Sequence, residues 1–245
     1  MLADLFAELS GAVLVDEDGR EETLRLLPPA TPEEVARVEA ELPAPLPDEI
    51  RSALAVSKGF ENGPLESLSL VDLGGALGME DIFPHVWPIA HDGFGNYWVV
   101  DVRPGDEAWA PVFFACHDPP VIAFQSHTVE GFVRGAVALW QDGPRSPVDE
   151  VHEEGTFRIW AEGSGLVPRA EALASTDPRL RQVAEGLPED AVLADLRDAG
   201  PGDGFPWGRF GPRVEWTRHG DDRLWSVVPP RRRSLLRRLF GGGGA

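Results

Sequence analysis

Short apolar runs separated by turn residues fill the segment from Leu65 to Gln125, and their spacing constrains the fold more than any other feature. Each run is rich in β-branched and aromatic residues, and Gly, Pro or Asp follows it. The intervals are too short for a helix between consecutive strands, which a parallel sheet would require. The sequence therefore predicts an antiparallel meander of four or five strands. The predicted strands cover residues 67–73, 86–90, 97–102, 111–115 and 121–124.

Helical patterns precede and follow these strands. Apolar residues recur at helical spacing over residues 2–9. Thr31-Pro32-Glu33-Glu34 combines a capping threonine, a proline that fits the first helical position and a glutamate that completes a capping box. A second helix is expected to begin at Asp48 and to end at Lys58-Gly59, and residues 129–140 place their apolar side chains on one helical face. The predicted class is α+β.

A composition change divides the chain near residue 141. Residues 141–147, with Asp142-Gly143-Pro144 as a turn, read as a linker. Three regions are predicted: a main domain over 1–141, a smaller α/β extension or subdomain over 148–230, and a basic tail over 231–245. In the extension we expect a strand at 156–160, a helix begun by Asp177-Pro178 and another over 188–198. A hairpin is expected to pair 213–218 with 223–228.

The acidic excess is confined to the first part of the chain. Residues 1–150 contain 27 Asp and Glu against 8 Lys and Arg, a net charge of −19, and residues 151–245 contain 14 of each. Such a charge repels nucleic acid and anionic lipid and accelerates encounter with a basic partner. Alternatively, the acidity only keeps the protein soluble.

No run approaches the roughly 18 apolar residues of a membrane span, and no secretory signal opens the chain, so a cytoplasmic protein is predicted.

No motif in the sequence supports catalysis, a metal site or a cofactor. The six histidines form no HExxH or H-x-H pattern, and there is no Gly-x-Ser-x-Gly elbow. Cys116 has no partner cysteine in the chain and is expected in the core. Asp92-Gly93-Phe94-Gly95-Asn96 lacks the ligands of a calcium loop and the lysine of a phosphate loop. We therefore expect it to be a hairpin turn, with Gly93, Gly95 and Asn96 as structural residues.

Several motifs between residues 31 and 140 resemble the SMI1/KNR4 (SUKH) family. The helical motifs are the capped helix at 31–41, the Leu46-Pro47-Asp48-Glu49-Ile50 start of the second helix, and the 58–63 segment that follows this helix. The others are two strands joined by a glycine turn at 89–101, and a strand followed by its covering helix at 121–133. Where this chain has Asn96, the family often has Asp. The resemblance implies a curved, mostly antiparallel sheet flanked by helices, and a role in binding other proteins. Bacterial members are associated with immunity to toxins, including nucleases with basic surfaces.

Three functional hypotheses follow. The first is a non-enzymatic immunity protein that neutralises a basic toxin domain by direct binding. The second is a general scaffold or regulatory SMI1/KNR4 module with no link to a toxin, and the third is an enzyme with an unrecognised site. We expect the partner to contact acidic residues of the main domain. The residues chosen as contacts are Glu61, Glu66, Asp106 and Glu107.

The C-terminal tail is short, basic and amphipathic. As a helix, residues 231–240 would place four apolar side chains opposite several arginines, which suits weak contact with a membrane surface or a partner. The alternative is a tail that is solvated or folded back on the acidic surface, which is favoured because ten residues are too few to hold a helix unaided.

Overall fold

The computed structural model describes residues 1–15, 19–61, 65–73, 78–142, 146–212 and 214–230. Parts of several predictions lie outside these residues: Asn62-Gly63 of the 58–63 segment, the Gly143-Pro144 turn, Arg213 of the hairpin and the whole basic tail over 231–245. The helices are α1 (Leu2–Leu9), α2 (Pro32–Glu41), α3 (Asp48–Leu54), α4 (Val129–Asp142), α5 (Pro147–Asp149), a π-type segment (Glu150–Gly155), α6 (Thr156–Glu162), α7 (Arg169–Ala174) and α8 (Pro178–Glu185).

Within the described residues, the strands are mostly short and fall into three sheets. They are β1 (Val13–Val15), β2 (Glu21–Thr23), β3 (Arg25–Leu26), β4 (Gly59–Glu61), β5 (Ser67–Ser69), β6 (Val86–His91), β7 (Tyr97–Asp101), β8 (Val112–His117), β9 (Pro120–Ser126), β10 (Leu166–Pro168), β11 (Val192–Asp195), β12 (Gly204–Phe205), β13 (Thr217–Arg218) and β14 (Leu224–Val227).

The main sheet has eight strands in the order β12-β9-β8-β7-β6-β5-β4-β3, and every neighbouring pair is antiparallel. The predicted meander and the α+β class are therefore confirmed. Register shifts between Pro88 and Ala90 in β6, and between Val112 and Phe113 in β8, interrupt the ladders. Such bulges bend the strands that contain them.

Helices α1 to α4 cover one face of this sheet. Thr31 begins α2 as predicted: its hydroxyl accepts the Glu34 amide hydrogen at 3.2 Å, and the Glu34 carboxylate accepts the Thr31 amide hydrogen at 2.8 Å. Helix α4 lies on β1 and β9 and contacts α1. The buried side chains of these helices meet the alternate side chains of β7 and β8, among them Trp98, Val100 and Phe114, in one core.

The C-terminal part of the chain covers the opposite face. Val99, Phe113 and Ile122 on that face pack with Phe205 and Trp225 in a second core. A four-stranded sheet in the order β10-β11-β14-β13 supplies part of this layer, and β12 extends the main sheet beside β9. Residues before and after the predicted linker therefore share a core. The division of the chain into three regions stays a prediction.

Two predicted elements in the extension are wrong. Residues 156–160 form the start of α6 rather than a strand, and residues 192–195 within the predicted 188–198 helix form β11. In the first, Ile159 is buried against β9 and the Thr156 hydroxyl donates to the Val151 carbonyl at 2.8 Å, so packing overrides β-propensity. In the second, β11 lies between β10 and β14, where its backbone groups are paired on both sides.

Gly59 also has a different role from the predicted one. Helix α3 ends at Leu54, and Gly59 begins β4 with φ of +146°. A Cβ at this position would lie 2.0 Å from the Leu68 carbonyl oxygen of β5. The glycine is required by the close approach of two strands rather than by a helix end.

Candidate functional site

The connection between β6 and β7 is a turn built around one carboxylate. We call residues Asp92–Asn96 the 92–96 turn. Gly93 and Gly95 have φ of +79° and +93°, in the left-handed region that favours glycine. Asp92 Oδ1 accepts the amide hydrogens of Phe94 at 2.8 Å and Asn96 at 3.2 Å, and Asp92 Oδ2 accepts from Asn96 Nδ2 at 2.6 Å. The predicted hairpin turn is therefore held by its own first residue.

Asn96 joins the turn to the next hairpin. Its side-chain oxygen accepts the backbone amide hydrogen of His117 at 3.0 Å and lies 2.8 Å from His117 Nδ1. Because this oxygen can only accept, His117 Nδ1 carries the proton. Asn96 is buried, and both ends of its amide are bonded. The residue predicted to be structural thus bridges β7 to the end of β8.

His152 connects the same turn to the π-type segment. Its Nε2 lies 3.3 Å from Asp92 Oδ2 and its Nδ1 lies 3.2 Å from a Glu153 carboxylate oxygen. The hydrogen bond to Asp92 raises the pKa of His152 against the opposing effect of burial. The imidazole also lies against the Trp98 and Phe114 rings. Two acidic acceptors and two aromatic neighbours all favour the imidazolium form.

The Asp92 carboxylate stays ionised over a wide pH range. Burial disfavours its charged form, but hydrogen bonds from His152, Asn96 and the amides of Phe94 and Asn96 outweigh burial and lower its pKa to about 2. The turn therefore carries a fixed negative charge at its base.

Phe94 stands at the tip of this turn with 81% of its surface exposed. Carbons of the Glu66 side chain lie 3.5 Å from where a Cβ on Gly93 would be, and the His117 ring lies 3.2 Å from where a Cβ on Gly95 would be. The phenylalanine is thus flanked by a glutamate of the β4–β5 connection and a histidine at the end of β8. Glu66 and His117 are themselves exposed.

Negative charges also act on Cys116, which precedes His117 in β8. Burial raises the pKa of the Cys116 thiol to about 11, and the negative charges of Asp92, Asp118 and Glu153 contribute to the increase. Asp118 and Glu153 are exposed and belong to the β8–β9 turn and the π-type segment. Cys116 is a buried thiol at neutral pH, as expected of a core residue.

The four acidic residues predicted as contacts fall into two separate groups. Glu61 and Glu66 lie on β4 and beside β5, at the end of the sheet that carries the 92–96 turn. Asp106 and Glu107 lie in the β7–β8 connection, beyond the other end of β7. Asp106 accepts two hydrogen bonds from the Arg103 guanidinium, at 2.8 and 3.2 Å, and is therefore already paired, whereas Glu107 is exposed.

The described residues contain no group of three or more His, Cys, Asp or Glu side chains placed to hold a metal ion. His117 and His152 both reach the 92–96 turn, but they contact Asn96 and Asp92 rather than each other. Within the same parts of the chain, no helix combines the length and apolar character needed to cross a membrane. The arrangement around the turn is that of a rigid, charged protein surface.

Residues 29–134 match the model of the SMI1 / KNR4 family (SUKH-1). These residues, which we call the SMI1/KNR4 segment, are therefore similar to a domain of this family. The resemblance seen in the capped helix, the glycine turn and the covering helix is thereby confirmed over these residues. No curated protein and no solved structure matches the chain.

The 92–96 turn and all four predicted contact residues lie inside the SMI1/KNR4 segment, whereas His152 and Glu153 lie outside it. Sequence reasoning identified the turn but assigned no role to Asp92, Phe94, His117 or His152. The Asp-Gly-x-Gly-Asn spacing signals the turn and its Asx bonds. No local pattern could place His152, which is 60 residues from Asp92, beside it.

Proposed function

We propose that this chain is a non-enzymatic, cytoplasmic protein-binding module that acts as an immunity protein by binding a basic toxin domain directly. The observation that carries the proposal is the match of residues 29–134 to the SMI1/KNR4 family, whose implied role is to bind other proteins. No cofactor is required in this proposal. The general scaffold or regulatory module is the competing function, and an enzyme with an unrecognised site is the third.

Charge supports a basic partner. The net charge of −19 on residues 1–150 would steer a cationic protein toward this part of the chain and repel nucleic acid. Glu61 and Glu66 are exposed and lie on neighbouring parts of one surface, so a single partner can reach both. Asp106 and Glu107 would form a second contact region at the far end of β7.

The test is reconstitution followed by a toxicity assay. The tagged full-length chain is purified at low salt from cells of its source, the copurifying protein is identified, and that protein is expressed with and without this chain. We expect a basic partner that inhibits growth alone and not with this chain, and a dissociation constant that rises with salt. A partner that is harmless alone would favour the scaffold function, and failure to recover any protein partner would contradict both binding functions.

A further inference from the structure

Phe94 is the most exposed large apolar side chain among the residues that the structure describes. The fold explains why the neighbouring positions hold Asp, Gly and Asn, but not why position 94 holds Phe. Asp92 and Asn96 are fixed by hydrogen bonds, and Gly93 and Gly95 by their backbone angles, whereas only the backbone amide of Phe94 is bonded. A polar residue at position 94 would leave every one of these contacts intact. Among the described residues, no contact requires an aromatic side chain at this position.

The turn fixes the backbone that carries this ring. Three hydrogen bonds to the Asp92 carboxylate hold the turn, and the Gly93 amide donates to His91 Nδ1. Asn96 links the turn to His117 of β8, and Asp92 links it to His152 of the π-type segment. A backbone held this way loses little conformational freedom on binding. Solvent-exposed aromatic residues on rigid supports are typical of side chains that dominate binding energy.

Three exposed carboxylates lie on or beside the elements that contact the 92–96 turn. Glu66 precedes β5, Asp118 belongs to the β8–β9 turn and Glu153 to the π-type segment, and all three are exposed. An apolar centre with a charged rim is the usual arrangement of a specific protein interface. The complementary surface has an apolar pocket rimmed by lysine and arginine.

Other occupants fit this surface poorly. A second copy of the chain would bring together two surfaces of the same negative sign, which costs free energy when like charges face each other. Nucleic acid and anionic lipid are repelled for the same reason. The charge selects a cationic protein.

We propose that Phe94 is the anchor of the partner interface, inserting into an apolar pocket of a basic protein while Glu66, Asp118 and Glu153 face cationic residues around that pocket. This rests on the proposed binding function and names its surface. Glu66 belongs both to this surface and to the four acidic residues predicted as contacts from the sequence.

The first experiment replaces Phe94 with a photo-crosslinking phenylalanine analogue in the full-length chain. Phe157 of α6 is the matched control, because its side chain is also exposed, at 57%, and lies outside the SMI1/KNR4 segment. After irradiation in cells, we expect position 94 and not position 157 to form an adduct with the protein that the unmodified chain copurifies. Equal adducts at both positions, or none at position 94, would overturn the proposal.

The second experiment measures affinity for that purified partner. We expect Phe94→Ala to raise the dissociation constant about 30-fold or more, the size of a hot-spot loss. Phe157→Ala should leave it unchanged, and Glu66→Gln should reduce its salt dependence. If the wild-type chain binds the partner but Phe94→Ala binds equally well, the anchor is refuted while the binding function stands. If the wild-type chain binds no protein, the binding function itself fails.

Discussion

Asp92 shows how one side chain can organise a surface. Its two oxygens accept hydrogen bonds from two backbone amides and the Asn96 side chain of its own turn, and from His152 of the π-type segment. The histidine also faces Glu153, and Asp149 adds a further negative charge to its surroundings. The turn is therefore coupled to the protonation of a residue 60 positions away.

The stabilisation supplied by this pair should depend on pH. Asp92 is ionised throughout the neutral range, because its pKa is about 2. The pKa of His152 is raised above 6.5, so its contribution is complete below that value and is lost as pH rises through the raised pKa. Asp92→Asn should therefore lower the free energy of unfolding by about 1–2 kcal/mol at about pH 5.5 and by less at about pH 9. Urea unfolding of both proteins measures this difference.

The control for this prediction is His152→Gln, alone and combined with Asp92→Asn. In the His152→Gln background, Asp92→Asn should have nearly the same cost at both pH values. An equal cost in the wild-type background as well would show that His152 is not charged beside Asp92.

Gly59 provides a second prediction at the residue scale. An alanine there would combine an unfavourable φ of +146° with a Cβ 2.0 Å from the Leu68 carbonyl oxygen. We expect Gly59→Ala to cost more than about 3 kcal/mol of unfolding free energy, because β4 and β5 would have to separate. Gly105→Ala is the matched control: its φ is +83°, nothing lies within 4 Å, and about 1 kcal/mol should be lost. Similar losses in the two variants, measured by urea unfolding, would contradict the close-approach explanation.

At the scale of elements, local sequence signals predicted the structure correctly where contacts between residues close in sequence determine it. The capping box at Thr31 and the cap at Asp177 begin α2 and α8 as expected, because each cap bonds amides two or three residues away. Local signals gave the wrong secondary structure where packing against strands distant in sequence determines it. Residues 156–160 are helical because Ile159 packs on β9, and residues 192–195 are extended because β10 and β14 flank them. No propensity scale contains those partners.

Removing the Thr31 hydroxyl tests the local contribution directly. Thr31→Ala deletes the acceptor for the Glu34 amide hydrogen and should lower the free energy of unfolding by about 1 kcal/mol. Thr31→Ser keeps the hydroxyl and should lose only a few tenths of that amount. Thermal or urea unfolding of the two variants compares them, and equal losses would mean that the hydroxyl does not cap the helix.

At the scale of the molecule, the candidate site was half visible in the sequence. The 92–96 turn follows from its glycines and Asx residues, but the surface around it combines Glu66, His117 and Glu153, which only the folded chain brings together. The charge break near residue 150 suggested separate regions. In the structure, both faces of the main sheet are apolar and the C-terminal layer covers one of them.

A buried ion pair joins the C-terminal layer to the main sheet. Asp101, at the end of β7, is fully buried, and the Arg218 guanidinium donates to its two oxygens at 2.7 and 2.8 Å. Arg223 Nε lies 3.4 Å from the same carboxylate without making a hydrogen bond.

Asp101→Ala would leave two nearly buried arginines without their carboxylate partner and should lower the free energy of unfolding by about 3–5 kcal/mol. Asp222→Ala, which removes the exposed partner of Arg179, should cost less than about 1 kcal/mol in the same urea titration. Equal costs would mean that the buried contact contributes no more than a surface pair.

The shared second core leads to the last prediction, which concerns the SMI1/KNR4 segment by itself. In a fragment containing residues 1–141, Val99, Phe113, Ile122 and Phe124 would lose the cover supplied by Phe205 and Trp225. An apolar sheet face exposed in this way promotes association and loosens packing. We expect the full-length chain to unfold in a single transition and the fragment to bind a hydrophobic dye, aggregate and lack a cooperative transition. A monomeric fragment that unfolds cooperatively would support the independent domain suggested by the charge break. The opposite outcome would mean that an SMI1/KNR4 domain of this kind depends on its C-terminal layer to fold, and that the surface around Phe94, which includes Glu153, exists only in the longer chain.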